Sequence, residues 1–388
     1  MPTVGQPIKT DAVKPSHVPP HTCESLLEEG AFAKPSPLLQ PWPSEGLEQV
    51  QACPVCGGRD RALLHADLQD RVFFCAPGRW ILQRCAQCSS AYLDPRPTLE
   101  TIGLAYQHYY THQSTPTGLE PPRSPSQWWR KSRRNDYLQS AFGYRLRPRL
   151  PGGRFVLSAR RQVQIDRWIR HLPAPAQPGA RLLDVGCGNG SFLDQMRQLG
   201  WAVVGIEPDA GAVAVAKTGG LEVHQGLLDG GFAATAPFDA ITLGHVVEHL
   251  HDPAGTLRHC LDLLRPGGWL WIATPNLQSA GHKRFGPAWR GLEPPRHLVI
   301  FTPYSLRGLL ERIGFVEITQ PRPDEAAEWY YLASAATEHG LAPERWTELP
   351  RSLRIELQAA ARQANDQLRE APDTAEELVL LARKPSSS

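Results

Sequence analysis

The fold is decided by residues 182–190, which read Leu182-Leu183-Asp184-Val185-Gly186-Cys187-Gly188-Asn189-Gly190. A short apolar run leads into three alternate glycines, and a helical pattern follows them. Glycine lets the backbone turn tightly and approach a ligand closely, and the free N–H groups at a helix start point toward that ligand. The pattern predicts a nucleotide-binding turn between a buried strand and a helix.

The next apolar run, Trp201–Ile206, ends at Glu207. A carboxylate at this position can accept hydrogen bonds from both hydroxyls of a ribose, so loop and acid together predict a ligand that contains adenosine. In the dinucleotide fingerprint Gly-x-Gly-x-x-Gly the third glycine would fall at position 191, which is Ser191 in this chain. That difference disfavours a nicotinamide dinucleotide.

Further motifs follow in a fixed order, namely Gly205-Ile206-Glu207-Pro208-Asp209, Phe238–Leu243, Leu264–Gly268 and Thr274-Pro275-Asn276. Together with the glycine string, this series resembles the class I S-adenosylmethionine-dependent methyltransferases over about residues 160–320. The resemblance implies an α/β fold with a doubly wound, Rossmann-like sheet of seven strands. It also implies S-adenosylmethionine as the cofactor.

The resemblance assigns cofactor contacts to particular positions. Asp184 and the glycines would shape the methionine and ribose pocket, Glu207 would hold the ribose, and Leu227 and Leu228 would border the adenine. The full set of implied contacts is Asp184, Gly186, Cys187, Gly188, Asn189, Gly190, Glu207, Pro208, Leu227, Leu228 and His245.

The fourth strand opens into Gly244–Leu250, which contains His245, Glu248 and His249. This segment is expected at the carboxyl end of the sheet, and on a helix the three side chains would share one face. His-x-x-Glu-His is also a zinc metalloprotease pattern, but here it follows a strand inside the methyltransferase series. Two interpretations stay open: a divalent metal on His245, Glu248 and His249, or a structural role for Glu248 and His249.

The segment resembles the fourth motif of ubiquinone-biosynthesis-type O-methyltransferases, some of which place a metal on Glu, Glu and His. His245 stands where their first Glu would be. Residues 289–303 resemble the lid of the same subgroup and include His297. A histidine takes a proton near neutral pH, so His249 and His297 are the candidate bases, with Glu248 beside them. His297 is equally well interpreted as an anchor of the loop.

Four cysteines form two pairs with metal-ligand spacing, Cys53 with Cys56 and Cys85 with Cys88, and 28 residues separate the pairs. This spacing predicts a structural Zn²⁺, since four thiolates leave no position for water; unrelated cysteines or a redox pair are the alternative. Cys23 and Cys75 are interpreted as spare thiols. With Ala91–Pro97 and Tyr106–Tyr110, the pairs resemble the N-terminal segment of a bacterial methyltransferase subgroup that often acts on sugars or secondary metabolites.

Residues 123–170 hold thirteen Lys or Arg against Asp136 and Asp166. Trp128 and Trp129 stand beside these cations. The indoles could stack on a nucleic acid or an anionic carrier while the cations neutralise its charge. The alternative is a solvated basic linker followed by a helix, because apolar residues from Val163 to Leu172 recur at helical spacing.

With 388 residues, 41% of them hydrophobic, and a net charge of only +2, the chain has the composition of an ordinary globular protein. We expect a disordered proline-rich arm (1–50), a zinc-ribbon-like domain that carries the four paired cysteines (51–112), a basic linker or lid (113–158) and the methyltransferase domain (159–388). The last contains a helical insertion at about 325–372, followed by a final strand at 377–384. No run is long enough for a signal peptide or a membrane span, and eight cysteines are too few for a disulfide scaffold. These features favour the cytoplasm.

The sequence therefore predicts methyl transfer from S-adenosylmethionine to an oxygen, carbon or nitrogen of a small-molecule acceptor such as a sugar. An RNA methyltransferase is the main alternative, suggested by a zinc ribbon beside a basic segment. Against it, Gly244–Val247 occupies the place where enzymes that methylate base amines carry an Asn- or Asp-Pro-Pro-Tyr-like turn. A scaffold that binds the nucleoside without chemistry is the third possibility.

Overall fold

The computed structural model describes residues 40–106, 119–228, 232 and 237–386. Most of the expected disordered arm, together with Cys23 and the Gln107–Tyr110 part of the aromatic motif, therefore lies outside the described residues. Within the described ranges, no helix combines the length and the apolar character that crossing a bilayer requires.

The N-terminal part, residues 47–106, contains short strands around the two cysteine pairs, and we call it the four-cysteine region. Its strands are β1 (Leu47–Glu48), β2 (Arg61–Leu68), β3 (Trp80–Cys85), β4 (Ala91–Leu93) and β5 (Arg96–Pro97). β2, β3 and β4 pair antiparallel in chain order, while β1 pairs with β5. Each cysteine pair sits at a turn next to this sheet.

Two helices connect this region to the larger sheet. Helix α1 (Pro125–Phe142) starts where the Ser124 side chain accepts a hydrogen bond from Gln127 N, and it ends at Gly143 with φ +84°. A serine N-cap followed by proline, and a left-handed glycine at the end, are strong helix boundaries. Helix α2 (Ala159–Trp168) begins with a similar N-cap, formed by Ser158.

The remaining chain alternates strands and helices. In chain order these are β6 (Arg181–Val185), α3 (Ser191–Gln198), β7 (Ala202–Glu207), α4 (Ala210–Thr218), β8 (Glu222–Gln225), β9 (Phe238–Gly244), α5 (Pro253–Leu263), β10 (Leu264–Pro275), α6 (Ala280–Phe285), β11 (Val299–Ile300), α7 (Pro303–Ile313), β12 (Val316–Thr319), α8 (Ala327–Glu338), α9 (Arg351–Gln367) and β13 (Glu377–Arg383). Helices α8 and α9 occupy most of the expected insertion.

The larger sheet of the described chain has seven strands in the order β12-β13-β10-β9-β6-β7-β8. The strands from β10 to β8 run parallel, and β13 pairs antiparallel with both β10 and β12. Central strands such as β6 and β9 are buried on both faces, which explains their nearly continuous apolar sequences. The predicted seven-stranded, doubly wound α/β fold is confirmed.

The four-stranded sheet has the order β11-β4-β3-β2, so a strand from the part of the chain that carries the larger sheet completes it. Val299 pairs with Tyr92 and Ile300 with Ala91, and all four residues are fully buried. One hydrophobic cluster continues from the four-cysteine region into the core beneath the larger sheet. The four-cysteine region is therefore packed against the part of the chain that carries the larger sheet, over a broad apolar interface.

Candidate active site and zinc centre

The glycine loop lies between β6 and α3. Gly186, Gly188 and Gly190 have φ values of +69°, +55° and +80°, which side chains rarely adopt. A Cβ atom on Gly186 would come within 2.4 Å of Val246 Cγ2, and one on Gly190 within 2.4 Å of Leu221 Cδ1. The loop can therefore take this shape only with glycine at these positions.

Glu207 ends β7 directly beside that loop. Its carboxylate accepts hydrogen bonds from Gly188 N at 2.8 Å and from Asp209 N at 3.0 Å. Burial raises the pKa of this carboxyl group above its ordinary value. A carboxylate has about four acceptor positions, so two remain for the hydroxyls of a ribose.

Asp184 is buried at the end of β6, where Arg170 and Thr242 both donate hydrogen bonds to Oδ1. Its other oxygen, Oδ2, is buried and has no hydrogen-bond partner among the described residues. An unpaired buried carboxylate oxygen is costly unless a ligand donates to it, and the ammonium group of S-adenosylmethionine is such a donor. Sequence reasoning missed Arg170, whose guanidinium also lies 3.6 Å above the Phe192 ring.

The other implied cofactor contacts differ in how accessible they are. Leu227 is exposed, whereas Leu228 is buried in the core, so Leu227 is the better placed of the two to border an adenine. Asn189 Oδ1 accepts from Ser191 N at 3.1 Å and so holds the turn into α3. Pro208 is exposed and Cys187 is buried. Glycine loop, Glu207 and Asp184 together fit S-adenosylmethionine.

The segment after β9 does not have the helical geometry in which His245, Glu248 and His249 would share one face. It contains a single 3-10 turn at Val247–His249 instead of an α-helix, and His245 has φ +56°. His245 lies outside the group of ligand atoms that Glu248 and His249 form with His297, so of the two interpretations left open by the sequence, this geometry does not support a metal on His245, Glu248 and His249. Because the turn is short, the i, i+3, i+4 spacing of a helix does not apply here.

His245 lies instead between two carboxylates. Its Nδ1 is 3.4 Å from Glu248 Oε1, and its Nε2 is 3.7 Å from Glu377 Oε2. Burial lowers the pKa of His245, but Glu377 and Glu248 outweigh that effect and raise it to about 10. His245 is thus a cation near neutral pH, and its side chain remains 42% exposed at the sheet edge.

Glu248, His249 and His297 do converge, since one ligand atom of each lies within 4.8 Å of the others. The two imidazole rings meet edge to face with centroids 4.7 Å apart. Glu248 Oε2 accepts from Thr274 Oγ1 at 3.0 Å, while the buried Oε1 lies 3.4 Å from His245 Nδ1. The structure therefore brings together the three side chains that the sequence proposed as catalytic.

Backbone carbonyls fix the tautomers of both histidines. His249 Nδ1 lies 2.9 Å from Arg296 O, and His297 Nδ1 lies 2.8 Å from Gly291 O. A carbonyl can only accept, so each Nδ1 carries the proton and each Nε2 keeps a lone pair. Two such nitrogens and one carboxylate are a donor set that fits a divalent cation, and carbonyls that hold the opposite ring nitrogens are typical of metal sites.

The lid residues beside these histidines are tied to the four-cysteine region. Arg296 is fully buried and forms an ion pair with Asp70, with Nη1 at 3.2 Å from Oδ2, and it also donates to Ala105 O at 2.8 Å. Tyr106 places its hydroxyl 2.9 Å from His249 Nδ1. Asp70, Tyr106 and Arg296 carried no recognised signal of such a role in the sequence.

The two candidate bases differ in their burial. Burial lowers the pKa of His297 to about 4, despite the opposing effect of the neighbouring Glu293 carboxylate. His297 is therefore neutral near pH 7 and a weak base there. His249 is only half-buried, so it is the more accessible of the two rings.

The four cysteines predicted to bind zinc converge on one point, and this predicted zinc site is called the zinc centre below. Cys53 Sγ is 3.6 Å from Cys88 Sγ, and Cys56 Sγ is 3.5 Å from Cys85 Sγ. Sulfurs at about 2.3 Å from a tetrahedral Zn²⁺ would be about 3.8 Å apart, so the spacing fits that ion. The two turns bring Gly57 N and Ser89 N back to Cys53 O and Cys85 O.

Comparison with known proteins agrees with this geometry. Residues 157–320 match a family model described as a methyltransferase domain. A ubiquinone biosynthesis O-methyltransferase of Albidiferax ferrireducens is 39% identical over 117 residues, covering 28% of this chain and 46% of that protein. One from Xanthomonas oryzae is 40% identical over 105 residues, with 25% and 44% covered. The chain spans about half the length of these curated relatives.

Among solved structures, a SAM-dependent methyltransferase from Archaeoglobus fulgidus aligns with a TM-score of 0.36 at 19% identity, covering 58% of this chain and 95% of its own. The cyclase SpnF aligns with a TM-score of 0.38 at 24% identity, covering 58% and 83%. Strand order, glycine loop and family match define a Rossmann-like methyltransferase fold. The domain at residues 157–320 belongs to the class I S-adenosylmethionine-dependent methyltransferases.

Proposed function

We propose that this protein transfers a methyl group from S-adenosylmethionine to an oxygen of a small-molecule acceptor, for example a sugar or a secondary metabolite. One observation carries the proposal. The glycine loop follows β6 and the Glu248–His249 turn follows β9, and these two parallel strands are hydrogen-bonded neighbours. Cofactor and proton-accepting residues are thus at the same edge of the sheet, where open α/β proteins bind ligands.

When bound, S-adenosylmethionine supplies an electrophilic methyl group on a sulfonium. Glu207 would bind the ribose hydroxyls, and Asp184 Oδ2 would accept from the ammonium group. Because an alcohol or phenol must lose its proton to act as a nucleophile, His249 Nε2 would take that proton. His297 and Glu248 would hold the His249 ring and stabilise the charge that it gains.

Oxygen is the favoured acceptor atom for two reasons. The matched curated relatives are named O-methyltransferases, although the chain spans only about half of their length. Oxygen acceptors also need a base, and a histidine with a fixed tautomer and a free Nε2 is suited to that task. A carbon or nitrogen acceptor would also fit this site, but these two observations favour oxygen.

As an alternative to His249 acting as the base, we further propose that Glu248, His249 and His297 can hold a divalent cation, in place of the set that included His245. The convergence of the Glu248 carboxylate with the two histidines, whose Nε2 atoms keep their lone pairs, supports this donor set. Bound there, a cation would polarise an acceptor oxygen. At the zinc centre we propose a structural Zn²⁺.

The proposal is tested first by calorimetry of S-adenosylmethionine binding to the wild type, to Glu207→Ala and to the control Glu222→Ala, which removes an exposed carboxylate on β8. Loss of two charge-assisted hydrogen bonds predicts about hundredfold weaker binding for Glu207→Ala. The control variant should bind like the wild type. Absence of binding to the wild type would refute the cofactor assignment.

His249→Ala tests the chemistry separately from the binding. It should keep cofactor affinity and lose turnover on a panel of hydroxylated small molecules by about 10² to 10⁴-fold, the usual contribution of a general base. Unchanged turnover would exclude His249 as the base. Turnover on RNA with no small-molecule turnover would favour the RNA methyltransferase instead.

A further inference from the structure

One surface of the protein is not used by the proposed methyl transfer. It lies where the segment 150–156 runs along helix α1, and we call it the basic aromatic surface. Its members are Trp128, Trp129, Arg130, Arg133, Arg161, Phe155 and Val156. Leu150 N donates to Ser132 O at 3.3 Å, and Arg154 N donates to Asp136 Oδ2 at 3.1 Å. These contacts hold the segment against the helix.

This surface exposes an unusual amount of apolar side chain. Four of the eleven large hydrophobic residues that are exposed in the described chain lie between positions 128 and 156. They are Trp128 at 41%, Trp129 at 51%, Phe155 at 78% and Val156 at 61% exposed. Single exposed apolar residues are normal, but a group of them beside cations indicates a site of interaction.

The charge of the same region is strongly one-sided. Residues 121–165 contain eleven Lys or Arg and a single carboxylate, Asp136. That carboxylate is buried and already binds Arg149 and the backbone of Arg154. It cannot neutralise the cations outside it, so the surface presents a positive field to the solvent.

Arg130, Arg133 and Arg161 act on one another electrostatically within this field. Burial, and then the charges of Arg130 and Arg133, lower the pKa of Arg161. Arg133 Nε is buried without a hydrogen-bond partner among the described residues, and its guanidinium lies 5.8 Å from the Trp129 ring. An anion from outside would satisfy these groups.

We propose that the basic aromatic surface docks on a lipid bilayer that carries anionic headgroups. The Arg130, Arg133 and Arg161 guanidinium groups would bind headgroup phosphates, while Phe155, Val156 and the two indoles would enter the interface between headgroups and acyl chains. Tryptophan, arginine and an exposed apolar tip are typical of protein surfaces that bind such interfaces. This proposal does not depend on methyl transfer.

Lipid fits better than nucleic acid for a geometric reason. Successive residues of an α-helix point about 100° apart, so Trp128 and Trp129 cannot form one stacking platform for consecutive bases. Val156 has no π-face and is among the most exposed apolar side chains of the surface. An aliphatic tip gains free energy by entering hydrocarbon and gains little from a base.

The test is co-sedimentation of the full chain with phosphatidylcholine vesicles, with or without phosphatidylglycerol, over a range of salt. We expect binding only to the anionic vesicles, weakening as salt rises. Arg130→Gln with Arg133→Gln should reduce the affinity about thirtyfold, since each cation near an anionic surface contributes about 1 kcal/mol. Phe155→Ser with Val156→Ser should reduce it about tenfold or more.

Ile355→Ser and Arg362→Gln on helix α9 are the matched controls, because both residues are exposed and distant in sequence from this surface. They should bind vesicles like the wild type, and all variants should keep their far-UV circular dichroism. No binding to anionic vesicles, or equal losses in the controls, would overturn the proposal. So would tighter binding to single-stranded RNA than to the vesicles.

Discussion

The two halves of the candidate active site are built in different ways. The cofactor half comes mainly from one short stretch, Asp184 to Glu207, on two adjacent strands and one turn, with Arg170 and Thr242 beside Asp184. The histidine half comes from distant segments, because Asp70 and Tyr106 hold Arg296 and His249 from the four-cysteine region. The first half is built by the larger sheet and the segments next to it, whereas the second half also depends on the remote four-cysteine region.

Because of this difference, the two halves should respond differently to damage in the four-cysteine region. Whatever disturbs the four-cysteine region should damage the histidine half and leave the glycine loop, which is built by the larger sheet, nearly intact.

The largest effect should follow from losing the zinc centre. Cys85→Ser, or removal of the proposed metal by a chelator, should disorder the two cysteine turns and loosen the packing of Asp70 and Tyr106, because a structural Zn²⁺ contributes on the order of 10 kcal/mol to folding. We expect turnover to disappear while S-adenosylmethionine binding, measured by calorimetry, remains. Zinc content is measured on the same samples.

Cys260→Ala is the matched control for that experiment, since Cys260 is a buried free cysteine in α5 outside the cluster. It should retain zinc and turnover. If Cys85→Ser loses cofactor binding together with turnover, the two halves are not separable as described.

A smaller effect is expected from the buried ion pair between Asp70 and Arg296. Asp70→Asn removes one of the two carboxylates that pair with the fully buried Arg296 guanidinium and leaves only Glu293, which should lower the free energy of unfolding by about 3 kcal/mol. The exposed pair of Asp67 with Arg79 serves as the control, and Asp67→Asn should cost about 1 kcal/mol or less. Denaturant titration measures both, and equal losses would show that the buried pair has no special role.

The smallest effect concerns His245, whose pKa the two flanking carboxylates raise from 6.5 to about 10. A raised histidine pKa stabilises the folded protein fully below about pH 6.5, and that contribution is lost as the pH rises through about 10. Since the side chain is 42% exposed, solvent screening reduces the gain to about 1 kcal/mol.

His245→Asn should therefore be less stable than the wild type near neutral pH, and the difference should shrink as the pH approaches 10. Thermal unfolding of both proteins across this range measures it. A difference that grows with pH would contradict the assigned cationic state of His245.

The sequence was informative where a motif is contiguous. Three alternate glycines, Glu207 after the next strand and the spacing of the cysteine pairs each describe a local geometry, and the structure places these residues accordingly. The seven-stranded sheet followed from the same series of motifs. Local backbone requirements are recorded directly in residue type.

It was uninformative where a contact joins distant segments. Asp70 and Arg296 are 226 positions apart, and isolated charged residues are expected on the surface, not in a core. The sequence also left open whether His245, Glu248 and His249 share a helix face, because a pattern over five residues cannot distinguish an α-helix from the single 3-10 turn that forms here. Neither case could be decided without the tertiary packing.

The pairing of β11 with β4 bears on how the protein can be divided. A fragment limited to residues 157–320 would retain the family match but lose Ala91 and Tyr92, the backbone partners of Val299 and Ile300. Two apolar residues that are now fully buried would become an unprotected strand edge. Such edges recruit strands from other molecules, so the isolated domain should self-associate and precipitate where the full chain does not.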